Sequence, residues 1–247
     1  MAQPMFVFDI AGTSLTVTPQ DTSVVVGAAL RTGLGEDDYS PLLVRAFSSV
    51  LGNPLASSVS KAQFDAAMRE LLPNVAGWSD DRKEQMSYFL SNLFYAFDRD
   101  GLESVPTDEI LVALAFLCGG SKTGKLAFSF ALFDASDVDA IEQAELARLL
   151  SSLLATLFAL CAASNALSDD ELDAAVHQCA VRTALEVYSD LGIMDGDSIS
   201  FDMFGSWYNQ FGFETIQWLE VKNVEGLFIC HLLSGTDALT ELIFFYL

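Results

Sequence analysis

Two segments of this chain, Phe97 to Ile110 and Phe133 to Leu146, follow one template. Each opens Phe-Asp, carries an oxygen-bearing residue two places after the Asp, and has an aliphatic residue at the eighth position counted from that Asp. Each closes with Glu at the twelfth position, followed at once by another aliphatic residue. The first reads Asp98, Asp100, Ser104, Val105, Glu109, Ile110; the second reads Asp134, Ser136, Ala140, Ile141, Glu145, Leu146. Apolar residues at helical spacing flank both loops. Met86, Phe89, Leu90, Leu93 and Phe94 lead into the first, while Leu149, Leu150, Leu153 and Leu157 continue from the second. The predicted unit is therefore helix, twelve-residue loop, helix.

This template resembles the EF-hand, whose loop wraps Ca²⁺. Ca²⁺ takes six to eight oxygens, which such a loop supplies from alternate positions and from a bidentate Glu at the twelfth. Carried onto this sequence, the resemblance implies Asp98, Asp100 and Glu109 as side-chain ligands, with Ser104 giving a carbonyl. In the second loop it implies Asp134, Ser136, Glu142 and Glu145, with Ala140 in the carbonyl position. Both loops depart from the pattern. The fifth position is Leu102 or Val138 where an oxygen is expected, and the sixth is Glu103 or Asp139 where Gly usually turns the chain with φ > 0. The ninth is Pro106 in one and Glu142 in the other. The Asp134 loop is expected to bind Ca²⁺ more tightly than the Asp98 loop, because Glu142 stands where the other has Pro106 and Asp139 tolerates the turn better than Glu103.

Two further segments have the loop's length without its ligand pattern: the first has no acid at all, and in the second Asp195 and Asp197 fall at the wrong positions and Met203 replaces the closing Glu. Gly52 to Gln63 keeps Val59 at the eighth position and Phe64 after the twelfth; Gly192 to Met203 keeps Ile199 and Phe204. The order of units, with Gly120-Ser121-Lys122 leading through Lys125-Leu126 to Phe133-Asp134, is similar to the calcineurin-B and neuronal calcium-sensor branch over residues 41–213. The expected fold is all-α: paired EF-hand units with short loop–loop β ladders, plus a small N-terminal β-hairpin. The expected divisions are hairpin and linker at 1–40, a first pair at 41–120, a second at 121–213, and an apolar tail at 214–247. Val105 and Ile141, equivalent in loops of equal length, are expected to face each other in one ladder.

Local signals fill in the rest. Residues 5–10 and 14–18 read as the hairpin strands, and Ser23 to Leu30 as a short helix. Asp81 with Glu84, and Ser168 with Glu171, have the spacing of capping boxes. Gly119 to Lys125 matches the phosphate-binding GxxxxGK[ST] pattern except at its last place, Leu126, and follows a helical rather than a strand segment, so it reads as a linker.

A net charge of −22 argues against nucleic acid and anionic membranes as partners. The four cysteines are scattered singly, which suits reduced cytoplasmic thiols. The N-terminus has no basic region and no Met-Gly for myristoylation. The tail from Gly226 is apolar, yet His231, Asp237 and Glu241 interrupt it, so no transmembrane segment is expected. Neither His177 nor His231 sits in a triad or zinc-ligand arrangement, and no enzyme is expected. Two functions remain. One is a Ca²⁺ sensor that uncovers an apolar groove for a partner's amphipathic helix. The other is a metal-independent adaptor that keeps the packing while its loops have stopped sensing.

Overall fold

The computed structural model describes residues 6–10, 13–17, 39–52, 57–72, 76–118, 121–134, 136–159, 168–194 and 196–212. These are mostly helical, with short antiparallel strand pairs. Strands β1 (Phe6–Ile10) and β2 (Thr13–Val17) form the expected hairpin, with Phe6 opposite Val17. The helical body then runs α1 (Tyr39–Leu51), β3 (Ser58–Ser60), α2 (Lys61–Leu71), α3 (Asp80–Tyr95), β4 (Ser104–Pro106) and α4 (Thr107–Leu117). It continues through α5 (Lys122–Phe133), β5 (Ala140–Glu142), α6 (Gln143–Ala159), α7 (Asp169–Leu191), β6 (Ser198–Ser200) and α8 (Phe201–Trp207), ending in a π turn at Tyr208–Gly212. The expected helix at Ser23 to Leu30 and the tail from Gly226 lie outside the described residues.

The four loops share their interior positions. At the eighth, Val59, Val105, Ile141 and Ile199 are all fully buried; after the twelfth, so are Phe64, Ile110, Leu146 and Phe204. Burying side chains of this size contributes about 1.5–3 kcal/mol each, which accounts for an apolar residue at every one of these places. The ladder partners differ from the expectation. Val105 pairs with Val59, and Ile141 pairs with Ile199, so the Val105–Ile141 ladder does not form. Pairing joins consecutive units and follows the apolar eighth residue, which the loops lacking the ligand pattern retain. Lys61 N–H to Glu103 C=O at 3.1 Å and Thr107 N–H to Ser57 C=O at 3.2 Å extend the first ladder on both sides.

Each strand pair sits over its own aromatic cluster. Phe64 contacts Phe47 and Phe94, with centroids 6.4 and 5.3 Å away. Phe204 contacts Phe130 and Trp207 at 5.9 and 5.8 Å. The clusters belong to one continuous core, because α6 packs on α4, α5 and α7 and is buried from Leu146 to Phe158 except at Arg148. Helix α4 is buried almost throughout, with Asp108 half-buried.

Helix ends follow local chemistry. Ser168 and Glu171 form the expected capping box, and Gly192 closes α7 with φ +67°, which a residue lacking Cβ adopts without strain. Helix α3 begins at Asp80, so Asp81 lies inside its first turn instead of capping it. Acidic residues there also favour the helix through its dipole. Ser121 caps α5, which starts at Lys122, inside the segment expected to be a linker. Among the described residues, no helix is long and apolar enough to cross a membrane.

Candidate functional site

The two acidic loops adopt the same turn. Asp98 Oδ2 accepts from Glu103 N–H at 3.1 Å, and Asp134 Oδ2 accepts from Asp139 N–H at 2.7 Å. The first carboxylate of each loop thus reaches its sixth residue. Those sixth residues have positive φ, 52° at Glu103 and 58° at Asp139, although neither is Gly. The turn costs more for Glu than for Asp, whose short side chain enters the left-handed region more readily. Asp134 takes a second bond, Oδ1 from Val138 N–H at 3.2 Å. The fifth residues, Leu102 and Val138, point outward and are well exposed.

The loops diverge at the ninth and twelfth positions. In the acid-free first loop, Ser60 caps α2, and Gln63 Oε1 accepts from the Ser60 N–H at 2.9 Å. In the Asp134 loop, Glu145 Oε2 likewise accepts from Glu142 N–H at 2.8 Å. The ninth backbone N–H therefore holds the twelfth side chain. Pro106 has no N–H, so Glu109 has no such donor. Its carboxylate meets two guanidinium groups instead. Oε1 accepts from Arg148 Nη2 at 3.4 Å, and Oε2 lies 3.2 Å from Arg99 Nη2.

These arginines reach further. Arg148 Nη2 also donates to Asp108 Oδ2 at 2.7 Å, and its guanidinium lies over the Phe133 ring at 4.9 Å. Arg99 Nε pairs with Asp173 Oδ1 on α7 at 2.8 Å. Glu109 is only 3 % exposed, and burial, with Asp108 beside it, leaves its carboxyl pKa raised despite the opposing pull of Arg99 and Arg148. The Oε2–Arg99 contact is an ion pair without hydrogen-bond geometry: Glu109 Oε2, Asp98 Oδ1 and Thr107 Oγ1 are buried without a hydrogen-bond partner.

The two sets of implied ligands consequently differ in electrostatic setting. A doubly charged ion about 5 Å from one guanidinium is repelled by roughly 2 kcal/mol in water and roughly 7 kcal/mol at an effective dielectric of 20. Glu109 has two such neighbours. The Asp134 loop contains no Lys or Arg. Its carboxylates Asp134, Glu142 and Glu145 are exposed or half-buried. Among the described residues, no three His, Cys, Asp or Glu side chains converge as they stand on a metal-sized site. The bond from Glu142 N–H uses one lone pair of Glu145 Oε2 and leaves the rest of the carboxylate open. Behind this loop, Tyr188 Oη donates to Ile141 C=O at 2.8 Å. Burial, with Glu142 and Glu145 nearby, pushes its phenol up to about 12.

Arg99 and Arg148 are the site residues that the loop pattern did not single out. Arg99 is visible inside the first loop. Nothing local marks Arg148, which meets Glu109 only through the packing of α6 on α4. On the first half's surface, α1, α2, α3 and α4 leave an apolar cleft of about 40 Å³, lined by Leu43, Met68, Leu71, Phe89, Leu90 and Leu114 among others. His177 is exposed on α7. No protein-family model matches this sequence, and no curated protein matches it.

Proposed function

We propose that this chain is an EF-hand-type regulatory protein whose response to Ca²⁺ rests on the Asp134 loop alone. The observation that carries the reading is the Asp134 carboxylate, gathered by the N–H groups of Val138 and Asp139 around a positive-φ sixth residue. That preorganises the first ligand in a loop without basic residues. Asp134, Ser136, the Ala140 carbonyl, Glu142 and Glu145 would hold the ion. Drawing Glu145 onto the ion would act on the first turn of α6, the helix around which both halves pack. The cleft beside Phe89 and Leu90 is the apolar surface such a change would widen for a partner's amphipathic helix.

A hydrophobic dye tests this directly. Its fluorescence should rise when Ca²⁺ is added to the intact protein and stay flat for Glu145→Gln. One observation favours the metal-independent adaptor as a second reading: Gln63 makes the same bond to its ninth residue as Glu145, so that bond needs no metal chemistry. Dye binding that ignores Ca²⁺ in the intact protein would select the adaptor.

A further inference from the structure

We infer that the Asp98 loop is filled from within: the guanidinium groups of Arg99 and Arg148 occupy the cation's place at Glu109 and make this loop a fixed joint between the two halves. Three observations converge. Pro106 removes the N–H that holds the twelfth side chain in the first and third loops, which leaves both Glu109 oxygens free to turn to other cations. The carboxylate is then approached from both sides, by Arg99 of its own loop at 3.2 Å and by Arg148 of α6 at 3.4 Å. Each arginine has a second carboxylate that holds it there, Asp173 on α7 for Arg99 and Asp108 on α4 for Arg148.

The result is a chain of alternating charge, Asp173–Arg99–Glu109–Arg148–Asp108, running from α7 through the loop to α6 and back to α4. A divalent ion would have to displace arginines from a residue that is almost fully enclosed. Asp98 Oδ1 and Glu109 Oε2, on two of the loop's implied ligands, are both buried without a hydrogen-bond donor. Arginine suits this role because it stays charged at every physiological pH and offers several donors in a fixed plane.

The inference makes a gain-of-function prediction, read by counting bound ions with radioactive Ca²⁺ in flow dialysis. Glu109→Gln should leave the count unchanged. The double variant Arg99→Met, Arg148→Met should bind one ion more than the intact protein, and adding Glu109→Gln should abolish that extra ion. A lower count in Glu109→Gln alone overturns the inference, as does an unchanged count in a double variant that circular dichroism shows to be folded. If the double variant does not fold, the Glu109→Gln count decides alone. If the intact protein binds no Ca²⁺, the proposed sensor function fails, while the double variant should still rise from none to one.

Discussion

Replacing Glu109 by Gln separates a carboxylate that stabilises this fold from one that the fold tolerates. The substitution keeps the shape of the side chain and an oxygen to accept from Arg148. It leaves Arg148 on Asp108 at 2.7 Å and Arg99 on Asp173 at 2.8 Å. What is lost is the charge. A hydrogen bond to a charged group contributes about 1.5–3 kcal/mol, against about 0.5–1.5 for a neutral one, so the loss on that side is roughly 1–2 kcal/mol. The gain is release from desolvating an ion in a residue only 3 % exposed, a cost of several kcal/mol for a fully buried carboxylate. The upward pKa shift, caused first by burial and helped by Asp108, says that the charged form is disfavoured here despite the arginines. The sign follows from linkage. A carboxyl whose folded pKa lies above its ordinary 4.5 binds protons more readily in the native state, so its contribution is fully present below pH 4.5 and is lost as pH rises through the folded value. Urea unfolding from pH 4 to pH 7 should therefore find Glu109→Gln as stable as the intact protein at neutral pH, or about 1 kcal/mol more stable. The difference should move in the intact protein's favour on acidification. A loss of more than about 1 kcal/mol at pH 7 would refute the reasoning, because it would mean that the arginines outweigh burial.

Other perturbations test other parts. Tyr188→Phe removes the donor to the buried Ile141 carbonyl and should cost about 1–3 kcal/mol in urea unfolding. Phe94→Ala opens the aromatic cluster around Phe64 and should cost about 3–5 kcal/mol, with a lowered midpoint at unchanged slope. Ser168→Ala breaks the α7 capping box and should cost about 1 kcal/mol without altering Ca²⁺ binding by calorimetry. Glu103→Val should be less stable than Glu103→Gly by about 1–2 kcal/mol, because the residue holds φ at 52°.

What the sequence made legible was local or enforced by burial. The eighth residue and the residue after the twelfth could be placed in all four loops, because a polar side chain there would be buried without a partner. Ser168 with Glu171 was readable because a capping box is complete within one turn; Asp81 with Glu84 was not, because acids suit the first turn of a helix as well as its cap. The ladder partners were hidden for a different reason. Val59, Val105, Ile141 and Ile199 are interchangeable as strand residues, so their pattern cannot say which of them meet. Pro106 could be read as a missing side-chain oxygen, yet its larger consequence is the missing N–H that leaves Glu109 to the arginines. The meeting of Arg148 with Glu109, across an interval of 39 residues, depends on how α6 crosses α4, which no local pattern encodes.

The central claim is that Ca²⁺ acts through the Asp134 loop, and calorimetric titration of the intact protein against Glu145→Gln measures it most directly. The account predicts a saturable heat of binding in the intact protein that disappears in Glu145→Gln while the far-ultraviolet spectrum stays the same. Heat that survives in Glu145→Gln, or no heat from the intact protein at millimolar Ca²⁺, would contradict it.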